Sequence, residues 1–552
     1  MRWKILANKK NIHSADKIID IILKNRGLKL KKNRQDFLET VSLSKITTKE
    51  VGIKEKELIK TADLIKKTIK NNEKIIIYGD YDADGVCATA IMWETLECLG
   101  AKVMPFIPKR EEGYGLNNER LDILAADGIK LIITVDQGIV HNAQVKHARE
   151  IGLKIIITDH HIPGEKIPLA DAIVHTTSLA GCGVAWFLSR FLIKKFKLEK
   201  KCPDNLDLTT IGSVTDMVPL IGPNRILIKN GLLQLMKTKR LGLKELYKLA
   251  GLNKEKISTY EIGFIVGPRL NATGRMDDPL DALRLLCTRN RQRAEELAGK
   301  IHLNNLERQS LTKEISLKAR EKWLKEDGVS PLIFVYDETF HEGVIGLVAS
   351  KLVEQFYRPT VILSKGEKYS KASARSIDSF NIIEAIRSCS TLLEGHGGHP
   401  KAAGFSIETT KLEILRTRLI EIASSQLSPE DLIKQLRIDL ELGVIDLSLD
   451  LLQKLNALEP FGEGNPEPVF VTRNLFISDA QLLGVSKNHL KLTLESKPEK
   501  IKIKAIGFNM GSFYEKISPD KNVDVVYNLI VDDWQGAKKL QLKLKDIRLS
   551  DE

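Results

Sequence analysis

Residues that bind metals cluster at three places in the first third of the chain, each directly after a short apolar run. They are Asp80, Asp82 and Asp84 in GDYDADG, Asp136 in VDQG, and Asp159, His160 and His161 in TDHH. Carboxylates at such short spacing repel one another unless cations bridge them. The three clusters together predict a metal site. A calcium loop is the alternative for GDYDADG alone, but the following ADGVCATAIMWE has no glutamate at the spacing that such a loop needs.

The mixture of ligand types indicates which metal is expected. Many carboxylate oxygens with one or two imidazoles suit Mn²⁺ or Mg²⁺ better than zinc, and a shared carboxylate can hold two ions about 3.5–4 Å apart. Two such ions would activate a water and neutralise a phosphate under attack. We expect Asp159 to orient a histidine rather than to bind a metal itself.

The segments that must position these residues alternate between strand-like and helix-like sequence patterns. Between residues 74 and 175, short Ile-, Val- and Leu-rich runs alternate with helix-like stretches of about a dozen residues. This alternation predicts βαβ units around a parallel sheet, in which ligands bind beyond the carboxyl ends of the strands. All three clusters lie at such strand ends, so we expect them to meet.

The rest of the chain predicts an α/β multidomain protein. Apolar positions at helical spacing over residues 280–326 indicate a long connecting helix, and a second, smaller α/β pattern follows it. After about residue 430, short alternating strands indicate an OB-like β-barrel. The predicted divisions are a basic N-terminal segment 1–70, a catalytic domain 71–240, a helical connector 241–328, a substrate-binding domain 329–428 and a barrel domain 429–552.

Several segments resemble one known family. The triplet Asp159, His160, His161 is the signature of the DHH phosphoesterase superfamily, and LDLTTIGSVTDMVPL resembles the segment of the RecJ exonucleases that contributes a further aspartate, here Asp216. GPRLNATGRMDDP, HEGVIGLVASKL and the DHHA1-like GHGGHPKAAGFSI also resemble RecJ segments. The resemblance covers roughly residues 40 to 545. It implies two metal ions bound by Asp80, Asp82, Asp84, Asp136, His160 and Asp216, with His161 at the scissile phosphate.

The resembling segments also contain candidate phosphate ligands. In NATGR and SARSI, Arg275 and Arg375 offer planar guanidinium groups suited to phosphate, and Ser373 offers a hydroxyl. Gly397, Gly398 and His399 are expected to form a turn with accessible backbone amides. Arg110 in IPKREEGYGL resembles the family's basic residue near the nucleic-acid strand. In isolation, a structural turn or a surface ion pair is the preferred interpretation of each of these, and the resemblance favours the phosphate role instead.

The resemblance implies a metal-dependent exonuclease that degrades single-stranded DNA from the 5′ end, releases mononucleotides and serves DNA repair and recombination. It also implies a single-strand-binding protein and a helicase as partners of a monomeric enzyme. A nanoRNase or cyclic-dinucleotide phosphodiesterase is the alternative enzyme, although such proteins are usually shorter and lack the barrel. An inactive strand-binding protein is the third possibility, but it should have lost metal ligands.

Composition is consistent with a nucleic-acid partner. The 552 residues carry a net charge of +13, and residues 1 to 74 contain 20 basic and 9 acidic side chains. The six cysteines form no CxxC pair, which argues against a disulfide scaffold or a zinc ribbon and fits a reducing cytoplasm. The start MRWKILANKK has no apolar leader, and no apolar run could span a bilayer, so we expect a cytoplasmic protein.

Two local features refine these expectations. The loop HTTSLA at residues 175–180 is shorter than its counterpart in the family, which leaves the shape of the rim of the site open. The aromatic residues Phe461, Phe508, Tyr527 and Trp534 of the predicted barrel are available to stack on bases, although most aromatic residues in a small barrel belong to its core. The chain ends soon after the barrel, so we expect no further partner-binding domain.

Overall fold

The structure of the protein is a computed structural model that describes residues 1–7, 12–39, 42–113, 115–326, 328–497, 499–517, 521–532 and 539–550. Its strands are, in chain order, β1 (Arg2–Ala7), β2 (Lys74–Tyr78), β3 (Lys102–Phe106), β4 (Ile129–Val135), β5 (Lys154–Asp159), β6 (Ala172–His175), β7 (Ile333–Asp337), β8 (Thr360–Ser364), β9 (Tyr369–Arg375), β10 (Leu393–His399), β11 (Ala402–Glu408), β12 (Gln435–Glu441), β13 (Phe470–Leu483), β14 (His489–Ser496), β15 (Ile501–Gly507), β16 (Asn522–Asp532) and β17 (Lys539–Leu549).

The α-helices are interspersed with short 3₁₀ turns and one π turn, Ile262–Val266. In chain order they are α1 (Ala15–Asn25), α2 (Lys31–Leu38), α3 (Glu55–Lys70), α4 (Ala83–Cys98), α5 (Asn118–Ala126), α6 (Asn142–Glu150), α7 (Gly181–Lys195), α8 (Leu206–Thr215), α9 (Gly222–Met236), α10 (Leu241–Leu249), α11 (Thr259–Glu261), α12 (Gly267–Met276), α13 (Leu280–Cys287), α14 (Arg291–Glu326), α15 (Ile345–Phe356), α16 (Ile382–Arg387), α17 (Leu412–Gln426) and α18 (Leu449–Asn456).

The chain divides into two compact units. One contains Met1–Thr47, Met217–Asn230 and Gln435–Glu552, and the other contains Thr48–Asp216 and Gly231–Lys434. The basic segment predicted for residues 1–70 is therefore shared between the two units. Among the described residues, no helix is both long and apolar enough to cross a membrane.

The second unit contains the predicted parallel sheet. Its strand order is β3-β2-β4-β5-β6, and every pairing is parallel. Strands such as β2 form because Ile75, Ile76 and Ile77 are almost fully buried, as expected for a sheet covered on both faces. The chain order reverses between β2 and β4, and a crevice opens for ligands at such a reversal. Two of the predicted acidic clusters follow these two strands.

A smaller mixed sheet belongs to the same unit and has the order β10-β11-β9-β8-β7. Its core contains Phe334, Leu363 and Phe405, all at most 5% exposed. The helix α14, 36 residues long, precedes this sheet in the chain. The long helix predicted for residues 280–326 is thus present but interrupted, because α13 ends at Cys287 and α14 begins at Arg291.

The first unit contains the predicted barrel. Strands β13, β14, β15, β17 and β16 pair in that order, and β16 closes the ring on β13. Tyr527 is fully buried and its hydroxyl lies 2.8 Å from Thr472 Oγ1, so this aromatic belongs to the core. Phe508 is 51% exposed, Phe461 packs partly buried against the core, and Trp534 lies outside the described residues.

A disulfide joins Cys98 to Cys202, contrary to the expectation of reduced cysteines. Cysteine spacing contained no signal of this pair because the two residues are 104 positions apart, and the packing of α4 against α7 and α8 brings this part of the chain together. The other four cysteines are free.

Candidate metal centre and phosphate pocket

The segment between β2 and α4 carries three carboxylates into the crevice. Asp82 caps α4, because its Oδ1 accepts a hydrogen bond from Gly85 N at 2.9 Å. Asp84 lies in the first turn of α4, and its two oxygens accept hydrogen bonds from Gly181 N at 2.7 Å and Cys182 N at 3.0 Å. Those amides are the N-terminus of α7, where unsatisfied N–H groups favour an anion. The short loop at residues 175–180 leads directly into this helix start.

Asp136 follows β4 and has a left-handed backbone with φ of 62°. Asp adopts this conformation more readily than most residues, although it still costs some energy. Its Oδ1 is buried without a hydrogen-bond partner among the described residues, and it lies 3.1 Å from His160 Nε2. A Cβ on Gly181 would lie only 2.6 Å from Asp136 Cβ, so this tight approach needs a glycine.

Asp159 is the last residue of β5 and is enclosed by donors. Its Oδ1 accepts from the backbone N of His160 and His161 at 2.7 and 3.1 Å and lies 2.8 Å from His161 Nδ1. Its Oδ2 accepts from Ile139 N at 2.9 Å. Both oxygens are therefore engaged within the protein, and the geometry favours the orienting role expected for Asp159 over direct metal binding.

The six expected metal ligands form two groups of three that share no residue. Asp80, Asp82 and Asp136 offer oxygens within 4.8 Å of one another, and so do the ligand atoms of Asp84, His160 and Asp216. Asp216 caps the C-terminal end of α8, and its Oδ2 lies 3.8 Å from His160 Nδ1. A third group joins Asp136 and His160 to His161.

Electrostatics distinguish these carboxylates from ordinary surface acids. Burial and then the charge of neighbouring aspartates raise the pKa of Asp80, Asp82 and Asp136, and raise that of Asp216 to about 9. Burial also lowers the pKa of His160. For His161, burial is the largest single effect and opposes the charged form, but the hydrogen bond to Asp159 and the negative charges of Asp159, Asp80 and Asp82 together outweigh it and raise the pKa.

These features fit a pair of divalent cations. The buried Oδ1 of Asp136 makes no hydrogen bond within the described chain, and the raised pKa of this carboxyl is the effect expected when neighbouring carboxylates lack a counter-charge. The six groups are oxygen-rich with one imidazole, as Mn²⁺ and Mg²⁺ prefer.

Three of the expected phosphate ligands also meet. Arg275 in α12 donates through Nη1 to Gly343 O at 3.2 Å, and Arg375 in β9 donates to Ser373 Oγ at 3.2 Å. The first turn of α15 lies against them, since a Cβ on Gly346 would be 2.9 Å from Ser373 Oγ and 3.1 Å from Arg375 Nη2. The pocket thus combines two guanidinium groups, a hydroxyl and a helix N-terminus.

The positive charges in and around this pocket lack carboxylate partners. Within the described ranges, no ion pair involves Arg110, Arg275, Arg308 or Arg375. Burial, followed by the charges of the other three arginines, lowers the pKa of Arg275 to about 10. A bound phosphate would supply the missing counter-charge.

Arg110 contacts both the loop between β2 and α4 and the helix α12. Its Cζ is 4.8 Å from the centre of the Tyr81 ring, and its Nε donates to Gly274 O at 3.2 Å. The alternative of an Arg110–Glu pair does not occur, because Glu112 instead binds Arg120 at 2.5 Å.

Gly397, Gly398 and His399 lie in the edge strand β10, so the expectation of a turn was wrong. All three pair with β11, although Gly398 has a φ of 144°, a backbone conformation that favours glycine. The register aligns His399 with Ala402 and Arg375, and Gly397 with Gly404 and Ser373, so these residues share one sheet face. His399 is two strands from Arg375, roughly 10 Å away.

Sequence reasoning missed Gly343, Gly346 and Arg308 as candidate site residues. The glycines of HEGVIG, placed between a strand and an amphipathic helix, are the signal that could have indicated a phosphate-binding helix start. Arg308 lies within α14 among many other charges, and nothing in its sequence environment distinguishes it.

Comparison with known families gives three matches along the chain. The DHH family N-terminal domain matches residues 74–213, the DHHA1 domain residues 329–425 and the RecJ OB domain residues 438–546. The chain is 38% identical to the single-stranded-DNA-specific exonuclease RecJ of Bacillus subtilis (strain 168), covering 100% of this chain and 71% of that protein.

Solved structures give the same result. The crystal structure of RecJ from Thermus thermophilus in complex with Mn²⁺ matches with a TM-score of 0.83 at 28% identity, covering 99% of this chain and 79% of that one. The Mg²⁺ complex from the same organism matches with a TM-score of 0.78 at 27% identity, covering 99% and 78%.

Proposed function

Because this chain belongs to the RecJ family of single-stranded-DNA-specific exonucleases, we propose that it hydrolyses single-stranded DNA from the 5′ end and releases mononucleotides. The observation that carries the proposal is the division of the six expected ligands into two groups of three. Cleavage of this kind would serve DNA repair and recombination.

The expected cofactors are two divalent cations, Mn²⁺ or Mg²⁺. The candidate ligands of one are Asp80, Asp82 and Asp136, and those of the other are Asp84, His160 and Asp216. When bound, the ions would activate a water for in-line attack and stabilise the charge of the phosphate and the leaving oxygen.

The side chains around the cations bind and orient the substrate. His161, held by Asp159 at 2.8 Å, is placed to donate a hydrogen bond to the scissile phosphate, and the raised pKa of its imidazole favours the form that donates from both ring nitrogens. Arg110 is proposed to hold the backbone of the following nucleotide.

Recognition of the strand end is assigned to the arginine pocket. Arg275, Ser373, Arg375 and the start of α15 would bind the 5′-terminal phosphate, with Gly397 and His399 of β10 farther along the same sheet face and Gly398 between them. The negative charge of Asp82 raises the pKa of Arg275, which requires the two groups to be near each other. This supports a phosphate pocket close to the metal ligands.

Family membership also suggests the setting of the reaction. We expect a monomer that acts in the cytoplasm, with a single-strand-binding protein and a helicase as partners.

Substitution of Asp136 by alanine tests the proposal. The wild type with Mn²⁺ should release mononucleotides from 5′-labelled single-stranded DNA, and Asp136→Ala should lose this activity while still binding the strand. The matched control is Asp127→Ala, which removes an exposed carboxylate from the same domain. Full activity of Asp136→Ala would contradict the site assignment.

The substrate class can be tested with single-stranded DNA, single-stranded RNA and duplex DNA. Each is labelled at either the 5′ or the 3′ end, and release of the label is measured. The proposal expects early release of the 5′ label from single-stranded DNA. Preference for a duplex, or cleavage of dinucleotides alone, would contradict it and favour the alternative phosphodiesterase.

A further inference from the structure

An exposed pair of aromatic rings stands on the helix that leads into the site. Tyr260 is 59% exposed and Phe264 is 70% exposed, and their ring centres are 4.9 Å apart with planes inclined by 29°. Large apolar rings in water without a partner often mark a binding surface. Neither ring has a role in the metal centre or the phosphate pocket.

The helix below the rings is continuous from Thr259 to Met276 and contains the π turn Ile262–Val266. Turns of this kind are rare and occur frequently at functional sites. The same helix contacts the metal loop, because Asn271 Oδ1 accepts a hydrogen bond from Ala83 N at 2.7 Å. Four residues later it provides Arg275 of the phosphate pocket.

Two glycines show which way the rings face. A Cβ on Gly263 would lie 3.8 Å from Val214 Cγ1, and one on Gly274 would lie 3.2 Å from Tyr81 Cβ, so both glycines mark the packed side of the helix. Phe264 and Arg275 each follow one of these glycines. The side chains of Phe264 and Arg275 therefore leave the helix in similar directions, beside the face that packs against the protein. They lie about 16 Å apart along the helix axis.

Unpaired positive charge lies between the rings and the pocket. Arg269 donates to Ile265 O at 2.8 Å and, like Arg308, makes no ion pair within the part of the chain that the structure describes. The carboxylates of this helix region are engaged, since Glu261 accepts from Ser258 N and Oγ and Asp277 pairs with Lys300. The surface from Arg275 to Phe264 is thus basic and then aromatic.

We propose that Tyr260 and Phe264 form a stacking platform for the bases of single-stranded DNA downstream of the cleaved nucleotide, with Arg269 and Arg308 holding the phosphates between. Basic side chains combined with accessible rings are the combination that binds single strands without sequence preference. The proposal rests on the proposed function, because it takes the 5′ end of the strand to lie at Arg275. It predicts that the platform matters only for strands long enough to reach it.

The test compares strand lengths with variants that change only the ring. Phe264→Leu keeps an apolar side chain but loses the aromatic face, and Phe264→Tyr keeps the ring as a matched control. We expect Phe264→Leu to weaken binding of a 5′-phosphorylated strand of about twelve nucleotides by about tenfold. Hydrolysis of a 5′-phosphorylated dinucleotide should be unchanged, and Phe264→Tyr should resemble the wild type.

Binding is measured by fluorescence anisotropy in EDTA, so it does not depend on hydrolysis. If Phe264→Leu bound the long strand with wild-type affinity, the proposed platform would be overturned. The same would follow if its activity fell equally on the dinucleotide and on the long strand. A wild type that self-associates through this surface, with Phe264→Leu becoming monomeric at unchanged strand affinity, would also overturn it. A wild type that binds strands but cleaves none with Mn²⁺ would refute only the proposed function.

Discussion

Asp136 has a conformation that is unfavourable without a metal ion and suited to binding one. Its backbone is left-handed, its carboxylate is buried, and one oxygen has no donor among the described residues. Each of these features costs free energy in the metal-free protein, where the neighbouring aspartates also repel it. Because of this cost, we expect the stability of the domain to depend on divalent cations.

Asp136→Asn should therefore separate stability from metal binding. In EDTA the variant should unfold at the wild-type temperature or above it, because one buried charge has gone. Mn²⁺ at about a hundred times its Kd should stabilise the wild type by about 2.7 kcal/mol and the variant by much less. Thermal unfolding with and without Mn²⁺ measures this, and equal Mn²⁺ stabilisation of both proteins would contradict it.

Gly212 is a second residue at which one methyl group should matter. A Cβ there would lie 2.5 Å from both Asp84 Oδ1 and Cys182 Sγ, so Gly212→Ala should displace a proposed metal ligand. We expect Mn²⁺-dependent hydrolysis to fall at least about tenfold, since ligand misplacement of this order is costly. Gly299→Ala in α14, where nothing lies within 4 Å of the added atom, is the control. Equal activity of the two variants would count against this prediction.

Arg375 belongs to the proposed recognition of the 5′ phosphate. The effect of replacing it on the rate of hydrolysis should therefore depend on whether the strand carries a 5′ phosphate. Arg375→Gln should reduce kcat/KM on 5′-phosphorylated strands by about tenfold or more, because charge-assisted hydrogen bonds to phosphate are lost. Strands with a 5′ hydroxyl should be affected little. Steady-state rates on the two strands decide it, and equal losses on both would argue for a merely structural arginine.

At the scale of elements, the parallel sheet was predictable because its strands are nearly continuous apolar runs that end in polar residues. Asp80, Asp136 and Asp159 could therefore be placed at one sheet edge from the sequence alone. Contacts between segments that are distant in sequence could not be predicted in this way. The hydrogen bonds from the start of α7 to Asp84 and the packing of Gly346 against Arg375 depend on tertiary packing.

The edge strand β10 illustrates a local signal that tertiary pairing overrides. Its glycines favour a turn by composition, but the ladder with β11 extends from Leu393 to His399. Arg110 and Arg275, in contrast, were assigned through resemblance, because their own surroundings in the sequence equally allow surface ion pairs.

The disulfide connects elements that also meet at the metal centre. The N-terminal ends of α4 and α7 approach each other at Asp84, and Cys98 ends α4 while Cys202 follows α7. Removing the cross-link with Cys98→Ser and Cys202→Ser should lower the free energy of unfolding by about 3 kcal/mol. Reduced wild type should match the double variant in denaturant melts.

Thiol counting gives an independent check. Alkylation of the denatured, unreduced protein should modify four cysteines, and alkylation after reduction should modify six. Six modified cysteines without reductant would contradict the disulfide.

At the scale of the whole molecule, the barrel unit is assembled from three separate stretches of chain. Helix α1 buries Ile18, Ile22 and Leu23 in the same core as barrel residues such as Leu492 and Tyr527. The basic start of the chain is thus a structural part of this unit as well as a source of charge.

Ile22→Ala should therefore destabilise the barrel unit. Loss of a fully buried Ile side chain costs about 2–5 kcal/mol, so proteases should cleave residues of this unit first as the temperature rises. Hydrolysis of a 5′-phosphorylated dinucleotide, which needs only the metal centre and the phosphate pocket, should persist. Leu30→Ala, at a position 66% exposed, is the control. Identical cleavage patterns for the two variants would refute the prediction.

The pairing of β1 with β12 also bears on how the protein is made. Arg2 aligns with Gln435, so β1 leaves the ribosome about 430 residues before the strand with which it pairs. At about 5–20 residues per second, that partner emerges roughly 20–90 s afterwards. During this interval the strand edge and the apolar face of α1 are open to chaperones and to other nascent chains, so tags or mutations at the N-terminus should affect yield before they affect activity.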